Sequence, residues 1–102
     1  MSERLSDLEA VLRDRLTAAR AGTAPEGSYS ATLVTDAERA QRKIMEEAFE
    51  LCLELGREPV EPGRTASEAA DLVFHVLAGL VGAGVAWSTS VPPRATRPRS
   101  WT

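Results

Sequence analysis

A chain of 102 residues, 43% hydrophobic and 26% charged, holds one globular domain with a small stability margin. A net charge of −3 excludes the clustered positive surface of a duplex binder, and two Trp, one Tyr and two Phe are too few for single-strand stacking platforms. No apolar run approaches the roughly 20 residues of a membrane span, the N-terminal residues carry no signal-peptide core, and Cys52 alone cannot form an internal disulfide, so a cytoplasmic protein is expected.

Residues 3–20 read as the first helix. Leu5, Leu8, Val11, Leu12 and Leu16 recur at helical spacing, Ser2 or Ser6 suits the cap, and Gly22 ends the run. Residues 21–34 form a connection in which Ser28-Tyr29-Ser30 is either a short helix or an extended loop. Residues 36–55 are the second long helix, opened by the Thr35…Glu38 capping box and closed by Gly56. Ile44, Ala48, Leu51, Cys52 and Leu55 make its core stripe, while Arg39, Arg42 and Lys43 form either a solvated face or a phosphate clamp. After a loop with Pro59, Pro62 and Gly63, Thr65…Glu68 is a second capping box, with Ser67 as a rival cap, and residues 66–82 continue as helix. Residues 88–102, with three Pro, three Arg and no acid, read as a mobile tail, leaving 1–87 as the domain. The fold expected is all-α, an antiparallel helical bundle completed by homo-oligomerisation.

The second helix carries Glu46, Glu47, Glu50 and Glu54. Residues three and four apart are helix neighbours, and like charges there repel by about 0.2–0.5 kcal/mol per pair. A divalent cation would remove that repulsion. Glu68 and Asp71 repeat the spacing on the next helix, so E-x-x-E and E-x-x-D face each other if the helices pack antiparallel. Hard oxygen ligands suit Mg²⁺ or Mn²⁺, which share themselves with substrate phosphates. Each acid also has a plainer reading: Glu68 as the partner of a capping Thr65, Glu47 and Glu54 as solvated positions. Asp71, set in an apolar stretch, is the hardest to read as solvated. His75, one turn after Asp71, is either a packed core residue or a group that orients the Asp71 carboxylate.

Gly27-Ser28-Tyr29-Ser30-Ala31-Thr32-Leu33, Lys43-Ile-Met-Glu46-Glu47-Ala48-Phe-Glu50 and Glu68-Ala-Ala-Asp71-Leu-Val-Phe-His75 resemble the phosphoribosyl-ATP pyrophosphatases of histidine biosynthesis, within the MazG-like all-α nucleotide pyrophosphatases. The resemblance spans about residues 5 to 87. It implies a Mg²⁺-dependent, cytoplasmic homo-oligomer, a homodimer or larger, that hydrolyses phosphoribosyl-ATP to phosphoribosyl-AMP and pyrophosphate. By position it implies Glu47, Glu50, Glu68 and Asp71 as metal ligands, Glu46 as a further ligand or the base for the water, and Glu46 and Glu47 as the catalytic pair. It implies Lys43 and, from the basic cluster, Arg42 as phosphate contacts, Ser28 and Tyr29 as substrate-site residues, and His75 as support behind the ligands. The sequence departs from that family in lacking a final helix after Trp87. Two alternatives stand beside this reading: a related all-α pyrophosphatase for other nucleoside triphosphates, and a non-catalytic helical oligomerisation module.

Overall fold

The computed structural model describes residues 3–89 and 92–101, so the Ser2 cap lies outside the described residues. Four helices follow in order: α1 Glu3–Arg20, α2 Tyr29–Thr35, α3 Ala37–Leu55 and α4 Pro62–Gly82. Among the described residues there is no strand, so the chain is all-α.

The core is a knot of α1, α2 and α4. Leu12, Leu33, Val34, Leu77, Ala78 and Val81 are buried together, with Leu5, Leu8, Leu16, Val73, Phe74 and Trp87 packed around them. Leu12, Leu33 and Leu77 are fully buried, each stabilising the fold by about 1.5–3 kcal/mol. Val11, placed by its spacing on the core face of α1, is instead half exposed. Ser6 lies inside α1 rather than at its start. The helix ends as expected at Gly22, whose φ of 72° is a left-handed value that a side chain would disfavour.

The connection after α1 resolves into the short helix α2. Ser28 caps it, its hydroxyl accepting from the Ala31 N–H at 3.2 Å. Two capping boxes do not form. Thr35 is the last residue of α2, its hydroxyl donating to the Ala31 carbonyl at 2.7 Å, and Asp36 caps α3 by accepting from the Arg39 N–H at 3.1 Å. Helix α4 starts at Pro62, a turn before Thr65. The Glu61 carboxylate accepts from the Gly63 and Arg64 N–H groups at 3.0 and 2.6 Å, and Pro62 sits where no amide hydrogen is needed. Those two bonds hold the Glu61 pKa below its ordinary value, the Arg64 amide first. Thr65 and Ser67 therefore lie within the first turns of α4 and not at its cap.

Helix α3 packs antiparallel on α4. Gly79 lies where a Cβ would meet Ile44 and Ala40, while Glu47 and Glu50 meet Glu68 farther down, so early α3 faces late α4. The close approach continues at the end of α4, where a Cβ on Gly82 would sit 2.7 Å from the Val34 carbonyl oxygen. Helix α3 adds nothing to the buried core cluster. The residues it turns inward are Ala40, Glu47 and Glu54. Cys52 is consequently exposed and Leu55 lies 57% exposed, a correction to their placing on the core stripe. The seam against α4 follows the acids, spaced i, i+7 and i+14 from Ala40, and this rotates Cys52 and Leu55 outward.

After α4 the chain turns through Gly84 and the Trp87 N–H donates to Glu9 Oε2 at 2.6 Å, tying this segment back to α1. The described residues beyond it form single 3₁₀ turns at Trp87–Thr89, Arg94–Thr96 and Arg99–Trp101, with Trp101 exposed.

Candidate metal and phosphate site

The seam between α3 and α4 brings three carboxylates together. Glu47, Glu50 and Glu68 each offer an oxygen, all within 4.8 Å of one another. Glu47 is 7% exposed, Glu68 half-buried and Glu50 exposed, so the cluster has a closed back and an open front. Glu47 Oε2 and Glu68 Oε2 are buried with no hydrogen-bond partner. Unpaired buried anions are costly, and charge of one sign gathered here needs a cation. The donor set, three carboxylates with two orphaned oxygens, fits a hard divalent ion.

Asp71 is placed differently. It lies on the same face of α4, one turn after Glu68, but is exposed and outside the three-carboxylate cluster. Glu54, four residues beyond Glu50 along α3, is buried and satisfied by Arg57, Nε to Oε1 2.9 Å, so the solvated reading fails for both Glu47 and Glu54.

A single cation joins this cluster to its neighbour. Lys43 Nζ lies 3.1 Å from Glu46 Oε2 and 3.6 Å from Glu47 Oε1. The Glu46 hydrogen bond and charge, then Tyr29 and Glu47, hold its pKa above the ordinary value against the opposing effect of burial. Lys43 and Glu46 also line an open cavity of about 480 Å³ with Tyr29, Arg39, Arg42 and Met45. Arg42 is drawn to Glu38 at 3.3 Å, both side chains exposed. Arg39 lines the cavity without an ion pair among the described residues. Three cations, one aromatic ring and an adjoining acid cluster make a site suited to a polyphosphate with a divalent ion.

Two expectations shift here. Ser28 spends its hydroxyl on the α2 cap and on Ser30 Oγ at 3.2 Å. His75 does not touch the Asp71 carboxylate. Its Nδ1 bonds the Asp71 backbone carbonyl at 2.7 Å and its Nε2 bonds the Tyr29 hydroxyl at 2.8 Å. A histidine four residues along a helix reaches the backbone oxygen of the preceding turn, while the Asp71 side chain points to solvent.

A family model described as phosphoribosyl-ATP pyrophosphohydrolase matches residues 5–91. The chain belongs to that family. Phosphoribosyl-ATP pyrophosphatase from Rhodopirellula baltica is 40% identical over 88 residues, 83% of this chain and 71% of the relative. The histidine biosynthesis trifunctional protein of Neurospora crassa is 47% identical over 66 residues, 65% of this chain and 7% of that protein. The bifunctional protein his7 of Schizosaccharomyces pombe is 42% identical over 81 residues, 79% of this chain and 17% of that protein. This phosphoribosyl-ATP pyrophosphohydrolase-family chain thus spans only a small part of the multifunctional relatives. No solved structure matches it. Among the described residues no helix is long and apolar enough to cross a membrane.

Arg39, weighed with Arg42 and Lys43 as a phosphate clamp or a solvated face, lines the cavity, as does Met45, to which sequence reasoning assigns no site role. The signal for the clamp is that Arg39, Arg42 and Lys43 share one helical face at i, i+3 and i+4.

Proposed function

We propose that residues 1–87 form a phosphoribosyl-ATP pyrophosphatase domain, converting phosphoribosyl-ATP and water to phosphoribosyl-AMP and pyrophosphate in cytoplasmic histidine biosynthesis. The observation that carries this is the Glu47–Glu50–Glu68 cluster, with two orphaned buried oxygens, beside a cavity lined by Arg39, Arg42 and Lys43. Family membership over residues 5–91 supports the choice of substrate.

Glu47, Glu50 and Glu68 would hold Mg²⁺, or Mn²⁺ in its place, with Asp71 at the exposed rim one turn along α4. An ion held there would supply neutralisation of phosphate charge and polarisation of the anhydride. Lys43, Arg39 and Arg42 bind and orient the phosphates from the other side. Glu46, exposed at the cavity wall, accepts the proton of the attacking water. The water oxygen bonds to the α-phosphorus, and the bond from that phosphorus to the bridging oxygen breaks, so the electron pair leaves with pyrophosphate. Tyr29 lines the substrate side, with Ser28 fixing the turn that presents it.

A homodimer fits the same reading. Met45, Phe49 and Leu53 are 72%, 64% and 54% exposed along one stripe of α3. A second copy laid on this stripe would cover it next to the Met45 wall of the cavity.

The test is pyrophosphate release from phosphoribosyl-ATP with Mg²⁺ and with EDTA. Release that EDTA stops, and that Glu47→Ala and Glu68→Ala abolish in folded protein, is expected. Full turnover in either variant would remove this reading, and faster release from ATP than from phosphoribosyl-ATP would move the substrate.

A further inference from the structure

We propose that His75 is a positioning residue that accepts the Tyr29 hydroxyl's hydrogen bond and so presents the phenol oxygen to the substrate cavity as a hydrogen-bond acceptor. This rests on the substrate reading above and deepens it.

The proton bookkeeping follows from three atoms. The Asp71 carbonyl oxygen only accepts, so His75 Nδ1, 2.7 Å away, carries a hydrogen. A neutral imidazole with Nδ1–H has a bare Nε2. The Tyr29 hydroxyl, 2.8 Å from that nitrogen, must then donate to it. His75 is 6% exposed and held edge-on by Phe74 at 5.1 Å and Tyr29 at 5.8 Å, while Tyr29 stacks on Phe74 at 6.4 Å.

Tyr29 itself is 45% exposed and lines the cavity with Arg39, Arg42 and Lys43. Its one proton is committed inward, so only lone pairs face the cavity. Such an oxygen repels phosphate oxygens and leaves them to the three cations. It accepts instead from a neutral donor on the substrate, and a sugar hydroxyl is the group a phosphoribosyl nucleotide offers next to its phosphates. A site built to pair with a hydroxyl discriminates strongly against a ligand lacking it. His75 thereby acts on binding through Tyr29, without touching the substrate.

The experiment uses the full chain and has two arms. In the first, long-range ¹H–¹⁵N spectra read the His75 ring. Protonated Nδ1 and bare Nε2 are expected, with Tyr29→Phe moving the Nε2 resonance and leaving Nδ1 nearly in place. An Nε2–H tautomer overturns the proposal. In the second, Tyr29→Phe and His75→Leu each raise KM for phosphoribosyl-ATP about 3- to 10-fold, the scale of one hydrogen bond, with kcat little changed. The double variant is no worse than either single one. His75→Gln, whose side-chain oxygen can accept the phenol proton, restores KM where His75→Leu does not. Additive losses, a fall in kcat alone, or equal KM in the Gln and Leu variants at equal melting temperature overturn the proposal. Absence of wild-type turnover sinks the functional reading and the substrate role together. Normal turnover with the wrong tautomer sinks the positioning role alone.

Discussion

Glu47 on α3 and Glu68 on α4 each bury one carboxylate oxygen with no partner, on facing walls of the same seam. Two anions held so close oppose the packing of α3 on α4 until a cation joins them. Adding Mg²⁺ or Mn²⁺ should therefore raise the melting temperature, by about 2.7 kcal/mol of stability at a hundredfold excess over Kd. Glu68→Gln should raise the melting temperature of the metal-free protein and abolish the metal-induced rise. Calorimetry with and without the ion checks both. An unchanged melt of the wild type in either ion would leave the seam without a metal role.

Helix α1 and the ends of α3 were legible because local signals decide them, leucines at helical spacing and glycine after the run, even though Asp36 and not the expected Thr35 caps α3. The inward face of α3 was legible only in part: Ile44 does pack on Gly79 and Ala48 and Leu51 are half-buried, but the edge of the stripe was misplaced. Apolar side chains occupy two stripes, Ile44–Ala48–Leu51–Leu55 and Met45–Phe49–Leu53, with acids beside both. Periodicity reports a period, and which stripe finds a partner depends on α4, so Cys52 and Leu55 were assigned to the core and emerged exposed. The acid pairs of the site were readable from spacing alone, but their unequal burial was not, and Asp71 stands outside the cluster that its spacing suggested. The Tyr29–His75 bond spans 46 positions of sequence and leaves no local trace. The start of α4 falls earlier than expected because glutamate is an uncommon cap, while the Thr65…Glu68 capping box and Ser67 downstream match the usual rule better.

That cap has a pH signature. The Glu61 carboxylate accepts its two α4 amide hydrogens most strongly when ionised, and its pKa is lowered in the folded chain. A lowered folded value contributes stability above the unfolded carboxylate pKa and loses it as pH falls through the folded one. The wild type should thus melt higher than Glu61→Gln at neutral pH, and the gap should close as the solution is acidified below the usual carboxylate range. Parallel melts across acidic pH measure this; a gap that is constant with pH would assign the difference to something other than the charge on the cap.

Gly82 marks where α4 meets the backbone of α2. A Cβ there would lie 2.7 Å from the Val34 carbonyl oxygen and 3.3 Å from its carbon, and backbone cannot swing aside as a side chain can. Gly82→Ala should destabilise the fold by about 1–3 kcal/mol, the usual range for overpacking, despite alanine's better helix propensity. Gly63→Ala, where a Cβ meets the flexible end of Glu61, serves as the contrast and should cost less. Chemical denaturation of the two variants ranks them, and a Gly82→Ala protein as stable as the wild type would mean that the α2–α4 approach is looser than 2.7 Å.

Phe49 tests the second copy. It lies mid-stripe between Met45 and Leu53 on a helix that adds nothing to the buried core cluster, so its ring faces water unless another chain covers it. Burying one Phe contributes about 1.5–3 kcal/mol, and a two-fold interface buries it twice. Phe49→Glu should weaken a dimer on the order of 100-fold or more. Sedimentation should show dimer giving way to monomer, while circular dichroism retains the helical content because no core contact is lost. Turnover should fall with the dimer if the partner closes the cavity at Met45, and survive if the stripe only joins two independent sites. A wild type that sediments as a monomer at micromolar concentration would assign the stripe to something other than a second copy.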